Sequence, residues 1–315
     1  MNPISVENWN IFYKSFYCEP VDKSNVMYLD TVHPYLDQPV TMSELVLVLK
    51  GLKNNKSPGP DKIKNEFYKN LPTEGKQYLL KIVNNVLIKE DVPKKWAQIE
   101  MILVHKKGDK MEPSNYRNIA LLNTITKIVT QILGNRLTNW SEANHVLIEA
   151  QSGFRRGRGC NDNIFVLNSL VYMQLRLRRG KLYTVFVDLK RAFDTIKHTL
   201  VWKKLFDIGV SGKLIRIIRN LYVQAEMKVR VNNGQYVQDI GVTKGVLQGD
   251  SLSPLLFSLF MNDNESYFRK HGCRGVNIDG MNDVILLTTW LFSQTLLLIL
   301  IEKLSFLKII VTKII

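Results

Sequence analysis

A carboxylate that ends an apolar strand is the first chemically suggestive feature of the sequence. Residues 183–189 form a short, β-branched apolar run, and Asp188 stands near its end. A carboxylate in that place can bind a divalent metal ion, to which Leu189 would add only its backbone carbonyl. The competing interpretation is an aspartate that caps the following helix. Asp194, six residues later, has the same two interpretations.

A second segment, residues 245–254, combines a side-chain amide with a glycine and a proline. Gln248 precedes Gly249, and Ser253 precedes Pro254. A glycine lets a ligand approach the backbone closely, and the neighbouring amide can contact that ligand. A loop that leads into a proline-started helix would explain Pro254. It would not explain the adjacent glutamine and glycine, which favour a binding loop.

Arginines lie among glycines in residues 151–159, which read QSGFRRGRG. Arg155, Arg156 and Arg158 can each bind a phosphate bidentately where the backbone also approaches it. The whole chain carries 43 Lys and Arg against 28 Asp and Glu, a formal charge of +15. This excess favours a polyanionic partner, although an ordinary basic protein has the same balance.

Strands and helices alternate irregularly along the chain, which predicts an α+β fold with helices packed on a sheet. Thr41 stands three residues before Glu44, the pattern of a capping box that opens a helix. Helices are predicted at residues 41–53, 74–89, 125–140, 163–179, 201–208, 213–222 and 254–270. Strands are predicted at residues 99–105, 116–121, 183–189, 227–231, 236–242, 275–278 and 282–287.

Cysteine usage and the N-terminus indicate where the protein works. The three cysteines lie far apart and have no metal-ligand spacing, which fits a reducing compartment. Residues 1–17 lack the charged-then-apolar order of a secretory signal. We therefore expect an intracellular protein, in the nucleus or the cytoplasm, without a membrane partner.

Taken together, these segments resemble the reverse transcriptases of non-LTR (LINE-type) retrotransposons. Residues 186–194 (FVDLKRAFD) resemble the first catalytic-aspartate motif of that family, and residues 245–254 (GVLQGDSLSP) resemble its nucleotide-pocket motif. Upstream, residues 56–61, 113–119 and 151–159 resemble, in order, a turn, a strand and a connecting segment of the polymerase fingers. The order of five segments supports the resemblance more than any one motif. Group II intron maturases share the core pattern and are the lesser alternative.

The resemblance implies RNA-templated DNA synthesis by two-metal nucleotidyl transfer with Mg²⁺ or Mn²⁺. The partners would be an RNA template, a DNA primer and deoxynucleoside triphosphates. By resemblance, Asp188 and Leu189 would hold metal, and Phe193 would exclude a ribose 2′-hydroxyl. The incoming nucleotide would be bound by Lys106, Arg117, Phe193, Gln248 and Gly249. Lys106 could equally be a solvated surface charge.

The fold implied by the family is a right-hand polymerase with fingers and palm. We expect an N-terminal extension at 1–40, fingers and their connection to the palm at 41–180, and an incomplete palm at 181–287. An aberrant apolar tail would follow at 288–315, and the thumb would be absent. Residues 1–40 match no motif.

The second metal-binding motif of the family is missing. A Tyr/Phe-Ala-Asp-Asp turn should follow residue 280, yet Asp283 is the last aspartate and Glu302 is the only later acid. Asp188 alone cannot hold two ions against the triphosphate charge, so we expect severely impaired catalysis. The alternative is a non-catalytic RNA- or DNA-binding remnant. A chain that folds poorly because its tail exposes apolar residues is a third possibility.

The apolar tail has three interpretations. Read from the third base of the Ile285 codon, residues 285–294 can encode Phe-Ala-Asp-Asp-Leu-Val-Ile-Phe-Ser with permitted synonymous codons. We therefore hypothesise that the tail is translated out of frame. Residues 284–301 also contain no charged residue and are long enough to span a membrane, although Thr, Ser and Gln interrupt them. A buried segment is the remaining alternative.

Overall fold

Two compact units make up the chain. The structure, a computed structural model, describes residues 2–20, 31–177, 182, 184–188, 191–232, 235–271, 276–278, 281–283, 285–289 and 295–299. The strands at 184–188 and from residue 276 onward are described by their backbone. The first unit joins Met1–Ala143 to Phe193–Leu256, and the second joins Asn144–Ala192 to Phe257–Ile315.

Helices and strands are mixed throughout the described residues, as the sequence predicts. The α-helices there are α1 (Val6–Phe16), α2 (Pro34–Asp37), α3 (Met42–Gly51), α4 (Asn65–Lys69), α5 (Thr73–Lys89), α6 (Thr124–Ala143), α7 (Cys160–Arg176), α8 (Ala192–Thr195), α9 (His198–Asp207), α10 (Gly212–Val223), α11 (Ser253–Phe260) and α12 (Asn264–Lys270). The strands there are β1 (Gln98–His105), β2 (Tyr116–Leu122), β3 (Thr184–Asp188), β4 (Glu226–Asn232), β5 (Gln235–Gly241), β6 (Val276–Ile278), β7 (Met281–Asp283), β8 (Ile285–Thr289) and β9 (Thr295–Ile299).

A four-stranded sheet organises the first unit, in the order β2-β1-β4-β5. Strand β1 pairs antiparallel with β2 and parallel with β4, and β4 pairs antiparallel with β5. Each of these four strands begins and ends within one residue of its predicted bounds. The strands predicted at 227–231 and 236–242 are confirmed as β4 and β5, and they pair as a hairpin.

Helix α6 forms much of the core of the first unit. Its apolar side chains, such as Ile128 and Leu137, are fully buried, and it packs against α2 and α3. The predicted capping box opens α3: the Thr41 hydroxyl accepts from the Glu44 backbone N–H, and the Glu44 carboxylate accepts from the Thr41 N–H. This reciprocal pair supplies acceptors for backbone N–H groups that the first helical turn leaves without partners.

A buried arginine ties α6 to the chain that precedes it. The side chain of Arg136 is 1% exposed. It donates two hydrogen bonds to the carboxylate of Glu44, at 2.7 and 2.9 Å. Its remaining donors reach the carbonyl oxygens of Leu36, Gln38 and Pro39. One guanidinium therefore fixes the path of the chain from α2 into α3.

Helix α1 belongs to the same unit, although the sequence offered no motif for residues 1–40. Trp9 and Tyr13 are fully buried. The Trp9 ring meets Tyr116 edge to face at 5.2 Å, and the Tyr13 hydroxyl donates to Asn118 Oδ1 at 2.8 Å. Since Tyr116 and Asn118 flank Arg117 on β2, α1 packs against the strand that carries that arginine.

The second unit contains α7, α12 and two small sheets. One sheet has the order β3-β9-β8, with antiparallel pairs that include Asp188 opposite Thr295. The other is the hairpin of β6 and β7, in which Asn277 pairs with Asn282. The predicted 282–287 strand is divided between β7 and β8.

The helix predicted from Pro254 to residue 270 is interrupted. It consists of α11 and α12, which the turn at residues 261–263 separates. The side chain of Asn262 in this turn bonds to the backbone of residues 146 and 148. Its Oδ1 accepts from the Ile148 N–H at 3.1 Å, and its Nδ2 donates to the Val146 carbonyl. Both contacts are distant in sequence, so helical periodicity could not have predicted the break.

Strands β8 and β9 lie inside the apolar segment 284–301. Across the parts of the chain that the structure describes, no helix has the length and apolar character needed to cross a bilayer.

Candidate functional site

The loop between β5 and α11, residues 242–252, is fastened to α8 and α9. The Gly245 N–H donates to the Ile196 carbonyl at 2.7 Å, and the Val246 N–H donates to the Phe193 carbonyl at 2.6 Å. His198, buried at the start of α9, donates from Nε2 to the Gly245 carbonyl at 2.7 Å. Gly245 has φ of +80°, the left-handed region that favours glycine. The loop therefore keeps a fixed course beside Phe193.

Gln248 joins this loop to two other elements. Its backbone carbonyl accepts from the Ala120 N–H on β2 at 2.8 Å. Its side-chain Nε2 donates to Asp194 Oδ1 on α8, also at 2.8 Å. The residue as a whole is half-buried. Gln248 is thus held between the second strand and the segment that carries Phe193.

Gly249 allows this close approach. Its φ is +130°, and a Cβ placed on it would lie 2.5 Å from the Ala120 carbonyl oxygen. That distance is shorter than any real Cβ contact, and the atom it would meet is backbone, which cannot move aside easily. Any larger residue here would push the loop away from β2. The predicted role of Gly249, to clear space for an incoming nucleotide, stays a prediction, because the close approach seen here is to the backbone of β2.

Asp250 is the buried acid of the loop. Its Oδ1 accepts from the Thr130 hydroxyl of α6 at 2.6 Å. Its Oδ2 accepts no hydrogen bond from the described residues. Burial raises the pKa of Asp250 to about 6, although hydrogen bonds from Thr130 and from the backbone of Leu252 and Ser251, together with the charge of Lys127, act in the opposite direction. Burial also lowers the pKa of Lys127, which Asp250 and Asp61 partly restore.

Replacing Asp250 with asparagine is expected to remove a loss of stability between about pH 4 and pH 6. An unfolded aspartate has a pKa of about 3.9, whereas folded Asp250 has a pKa of about 6. Between these values the folded state holds a proton that the unfolded state has lost, so the free energy of unfolding falls as the pH rises. The expected fall is about 3 kcal/mol.

Urea unfolding between pH 4 and pH 7, in the natural chain and in Asp250→Asn, measures this effect. The natural chain should become less stable across the window, and the asparagine variant should change less. Parallel pH profiles for the two proteins would contradict the prediction, because every other titrating group is common to both.

The predicted cations of the β1–β2 hairpin point to solvent. Arg117 lies on β2 opposite Val104, and its side chain is exposed. Lys106 follows β1, where its N–H donates to the Asn115 carbonyl at 2.9 Å, and its side chain is also exposed. Both cations are therefore accessible to an anionic ligand.

The three predicted phosphate-binding arginines differ in their contacts. Arg155 is 8% exposed in its side chain, and it donates to the carbonyls of Ile148 and Gln151. Arg158 donates to the Glu149 carbonyl and pairs with the Glu149 carboxylate. The hydrogen bond from Arg158 to the Glu149 carboxylate holds the pKa of Glu149 below its usual value. Arg156 is exposed, so it is the arginine of this segment that is most accessible to a phosphate.

Asp188 ends strand β3 of the second unit. Its side chain and the whole of Leu189 lie outside the described residues, so the predicted metal ligands are located only by the backbone of β3. Among the side chains that are described, no three His, Cys, Asp or Glu residues group together as a metal site would require.

Sequence reasoning missed the partners that hold the loop. Asp194 lies within α8 and accepts from Gln248, whereas the sequence suggested a cap for a helix that starts at residue 195. Asp250 was part of a recognised motif without a role of its own. Thr130 carried no signal, because a threonine in an apolar helix is indistinguishable from a core residue by pattern alone.

Known proteins resemble this chain across the same segments. Residues 104–286 match the family model described as "Reverse transcriptase (RNA-dependent DNA polymerase)". A probable RNA-directed DNA polymerase from transposon BS of Drosophila melanogaster is 32% identical over 232 residues, which cover 72% of this chain and 25% of that protein. A Pol polyprotein from the type-1 retrotransposable element R2 of Popillia japonica is 29% identical, with coverage of 73% and 31%.

The RNA-directed DNA polymerase from mobile element jockey of Drosophila melanogaster is also 29% identical, over 74% of this chain and 26% of that protein. The chain therefore spans a quarter to a third of the length of these curated relatives. The residues matched by the family model include the 242–252 loop, both hairpin cations and the three arginines. They leave out α1.

Proposed function

The chain belongs to the reverse transcriptase family of non-LTR retrotransposons, and from this premise we propose that its 242–252 loop binds an incoming deoxynucleotide. The position of Gln248 carries the proposal. Gln248 is half-buried; its backbone carbonyl accepts from Ala120 on β2 and its side-chain amide donates to Asp194 on α8, each at 2.8 Å. A preorganised polar group beside a glycine backbone suits the recognition of a nucleotide.

Phe193 would make this pocket selective for deoxynucleotides. Its carbonyl accepts from the Val246 N–H, so the residue is tethered to the loop that would contact the nucleotide. By resemblance to the family, its ring would exclude a ribose 2′-hydroxyl. Arg117 and Lys106, exposed on the neighbouring hairpin, would attract the triphosphate.

Divalent metal ions serve catalysis in this family, but the donor set of this chain does not fit a two-metal centre. Asp188 is the acid at the expected strand end, and beyond Asp283 the sequence contains only Glu302. A single carboxylate leaves the charge of two ions and a triphosphate poorly balanced. We therefore propose that RNA-templated DNA synthesis, the reaction of the family, is severely impaired in this chain.

We assign residues 41–180 to the fingers and their connection to the palm, 181–287 to an incomplete palm, and 288–315 to an aberrant tail. The RNA template and the DNA primer would contact the basic segment around Arg156. Binding by this segment does not require the metal site, because phosphate binding by arginine is electrostatic. We place the activity inside the cell, in the nucleus or the cytoplasm, where such templates occur.

Charge reversal at Arg156 is expected to weaken binding of an RNA template annealed to a DNA primer. Because the guanidinium is exposed and the substitution changes two units of charge, we expect a loss of roughly tenfold at moderate salt. The dependence of affinity on salt should also become shallower. A gel-shift titration of Arg156→Glu at several salt concentrations, beside the natural chain, measures both effects.

A matched control is Lys81→Glu, an equal charge change at an exposed position of α5, outside the residues that match the family. Equal losses in both variants would show that net charge, and not this segment, determines binding. No binding by the natural chain would contradict the template-binding part of the proposal.

The second candidate function is a non-catalytic RNA- or DNA-binding remnant of a reverse transcriptase. The missing aspartate motif favours it. Primer extension on an RNA template separates the two: extension that disappears in Asp188→Ala identifies an enzyme, whereas template binding without extension identifies the remnant.

A further inference from the structure

Helix α6 presents one face to the proposed nucleotide loop. Lys127, Thr130 and Gly134 are spaced three and four residues apart, so they lie on one side of the helix. Thr130 contacts Asp250, and the charge of Lys127 acts on the same carboxylate. A Cβ on Gly134 would touch the Leu252 side chain at 3.6 Å. This face therefore supports the loop at residues that closely follow Gly249.

We infer that Asp250 is a positioning residue, which uses Thr130 of α6 to hold Gln248 and Gly249 against β2. The inference rests on the proposed function of the loop as a nucleotide pocket. Asp250 is 3% exposed, so it is not itself available to contact a nucleotide. Its side chain accepts from Thr130 at 2.6 Å, and its backbone N–H donates to the Leu247 carbonyl at 3.1 Å and closes the turn that contains Gln248.

The Thr130 hydroxyl suits this task whether or not Asp250 carries a proton. It lies 2.6 Å from Asp250 Oδ1 and 3.3 Å from the Lys127 carbonyl. When the carboxylate is ionised, the hydroxyl donates to it. When the carboxyl group is protonated, it can donate to the hydroxyl, which then donates to the carbonyl. The link between α6 and the loop therefore persists in both states.

Apolar packing alone would account for less of this geometry. It would anchor the loop through Leu247 and Leu252, which are both buried. It would not require a charged group beneath the loop, where burial of a carboxylate is costly. A buried carboxylate that accepts a 2.6 Å hydrogen bond from α6, at the turn that carries the half-buried Gln248, is better explained by the need to fix that turn.

Hydrogen exchange of the loop amides tests the inference on the full chain, without any ligand. Thr130→Val keeps the shape of the side chain and removes its hydroxyl, whereas Thr130→Ser keeps the hydroxyl. In the valine variant, we expect exchange at Gly245, Val246 and Asp250 to become about tenfold faster, the size of effect that loss of one buried hydrogen bond produces. The Ala120 amide of β2, which donates to the Gln248 carbonyl, should also exchange faster, whereas peptides from β1 should exchange as in the natural chain.

The serine variant should exchange at the natural rate in the loop. Equal acceleration in both variants would attribute the effect to lost packing of the methyl group and would overturn the inference. Unchanged exchange in Thr130→Val would overturn it as well. Acceleration across the whole first unit would do the same, because it would indicate a general structural role.

Nucleotide binding then connects the loop to function. Anisotropy of a fluorescent deoxynucleoside triphosphate, with template, primer and Mg²⁺, gives the dissociation constant for each protein. We expect Thr130→Val to raise it roughly fivefold, with template affinity unchanged. If the natural chain binds no nucleotide, the proposed function fails, while the exchange comparison still decides the inference. If the natural chain binds and Thr130→Val binds equally well, the inference fails alone.

Discussion

One nucleotide inserted ahead of the Ile285 codon is expected to raise primer extension on an RNA template by about a thousandfold. The insertion makes the third base of that codon the start of a new codon. Residues 285–294 are then replaced by a reading that can contain Phe-Ala-Asp-Asp. Two added carboxylates would join Asp188 in holding both ions, and metal ions of this kind supply several kcal/mol of transition-state stabilisation.

The measurement compares incorporation of radiolabelled deoxynucleotides by the natural and the frame-shifted chains. Asp188→Ala in the frame-shifted chain should abolish the gain, because it removes the first carboxylate. Equal activity before and after the insertion would contradict the frame hypothesis, as would codons that do not encode the paired aspartates. Activity of the natural chain that requires Asp188 would also contradict the proposed impairment.

Local sequence signals predicted the first unit well. The four strands of its sheet are apolar, β-branched runs bounded by turn residues, and their predicted bounds differ from the structure by one residue at most. The capping box of Thr41 and Glu44 placed the start of α3 for the same reason. These features depend on neighbours a few residues away, which a sequence displays directly.

Contacts between distant segments were not predictable. The hydrogen bond between Thr130 and Asp250 joins positions 120 residues apart. The break at Asn262 and the burial of α1 also depend on partners that no local pattern identifies. Sequence reasoning selected Phe193, Gln248 and Gly249 from motifs, and the structure places them around one loop. The sequence could not show that Asp194 and Asp250 would hold that loop, because an aspartate is ordinarily a surface or capping residue.

Replacing Arg136 with leucine is expected to destabilise the first unit by roughly 3 to 5 kcal/mol, the effect of removing one partner from a buried ion pair. The leucine would fill part of the volume, but it would leave Glu44 and three backbone carbonyls without their donor. Lysine would restore the charge without restoring the stability, because one ammonium group cannot reach all of these acceptors in the geometry of a guanidinium.

Arg117→Leu is the matched control, since it makes the same change at an exposed arginine of the same unit and should alter stability by about 0.5 kcal/mol or less. Urea unfolding of both variants gives the comparison.

The ion pair of Arg136 and Glu44 also predicts how stability responds to acid. Burial raises the pKa of Glu44, but hydrogen bonds from Arg136 and Thr41 outweigh it and leave the pKa below its usual value.

The stability from this lowered pKa is therefore present above the unfolded pKa of about 4.3 and is lost as the pH falls below it. Asp250 has the opposite sign, because its raised pKa favours the folded state at low pH. In Arg136→Leu the acid-dependent loss from Glu44 should be smaller, because only the Thr41 hydrogen bonds remain to lower its pKa. If Arg136→Leu is as stable as Arg117→Leu, then the path from α2 into α3 is fixed by apolar packing and not by the guanidinium.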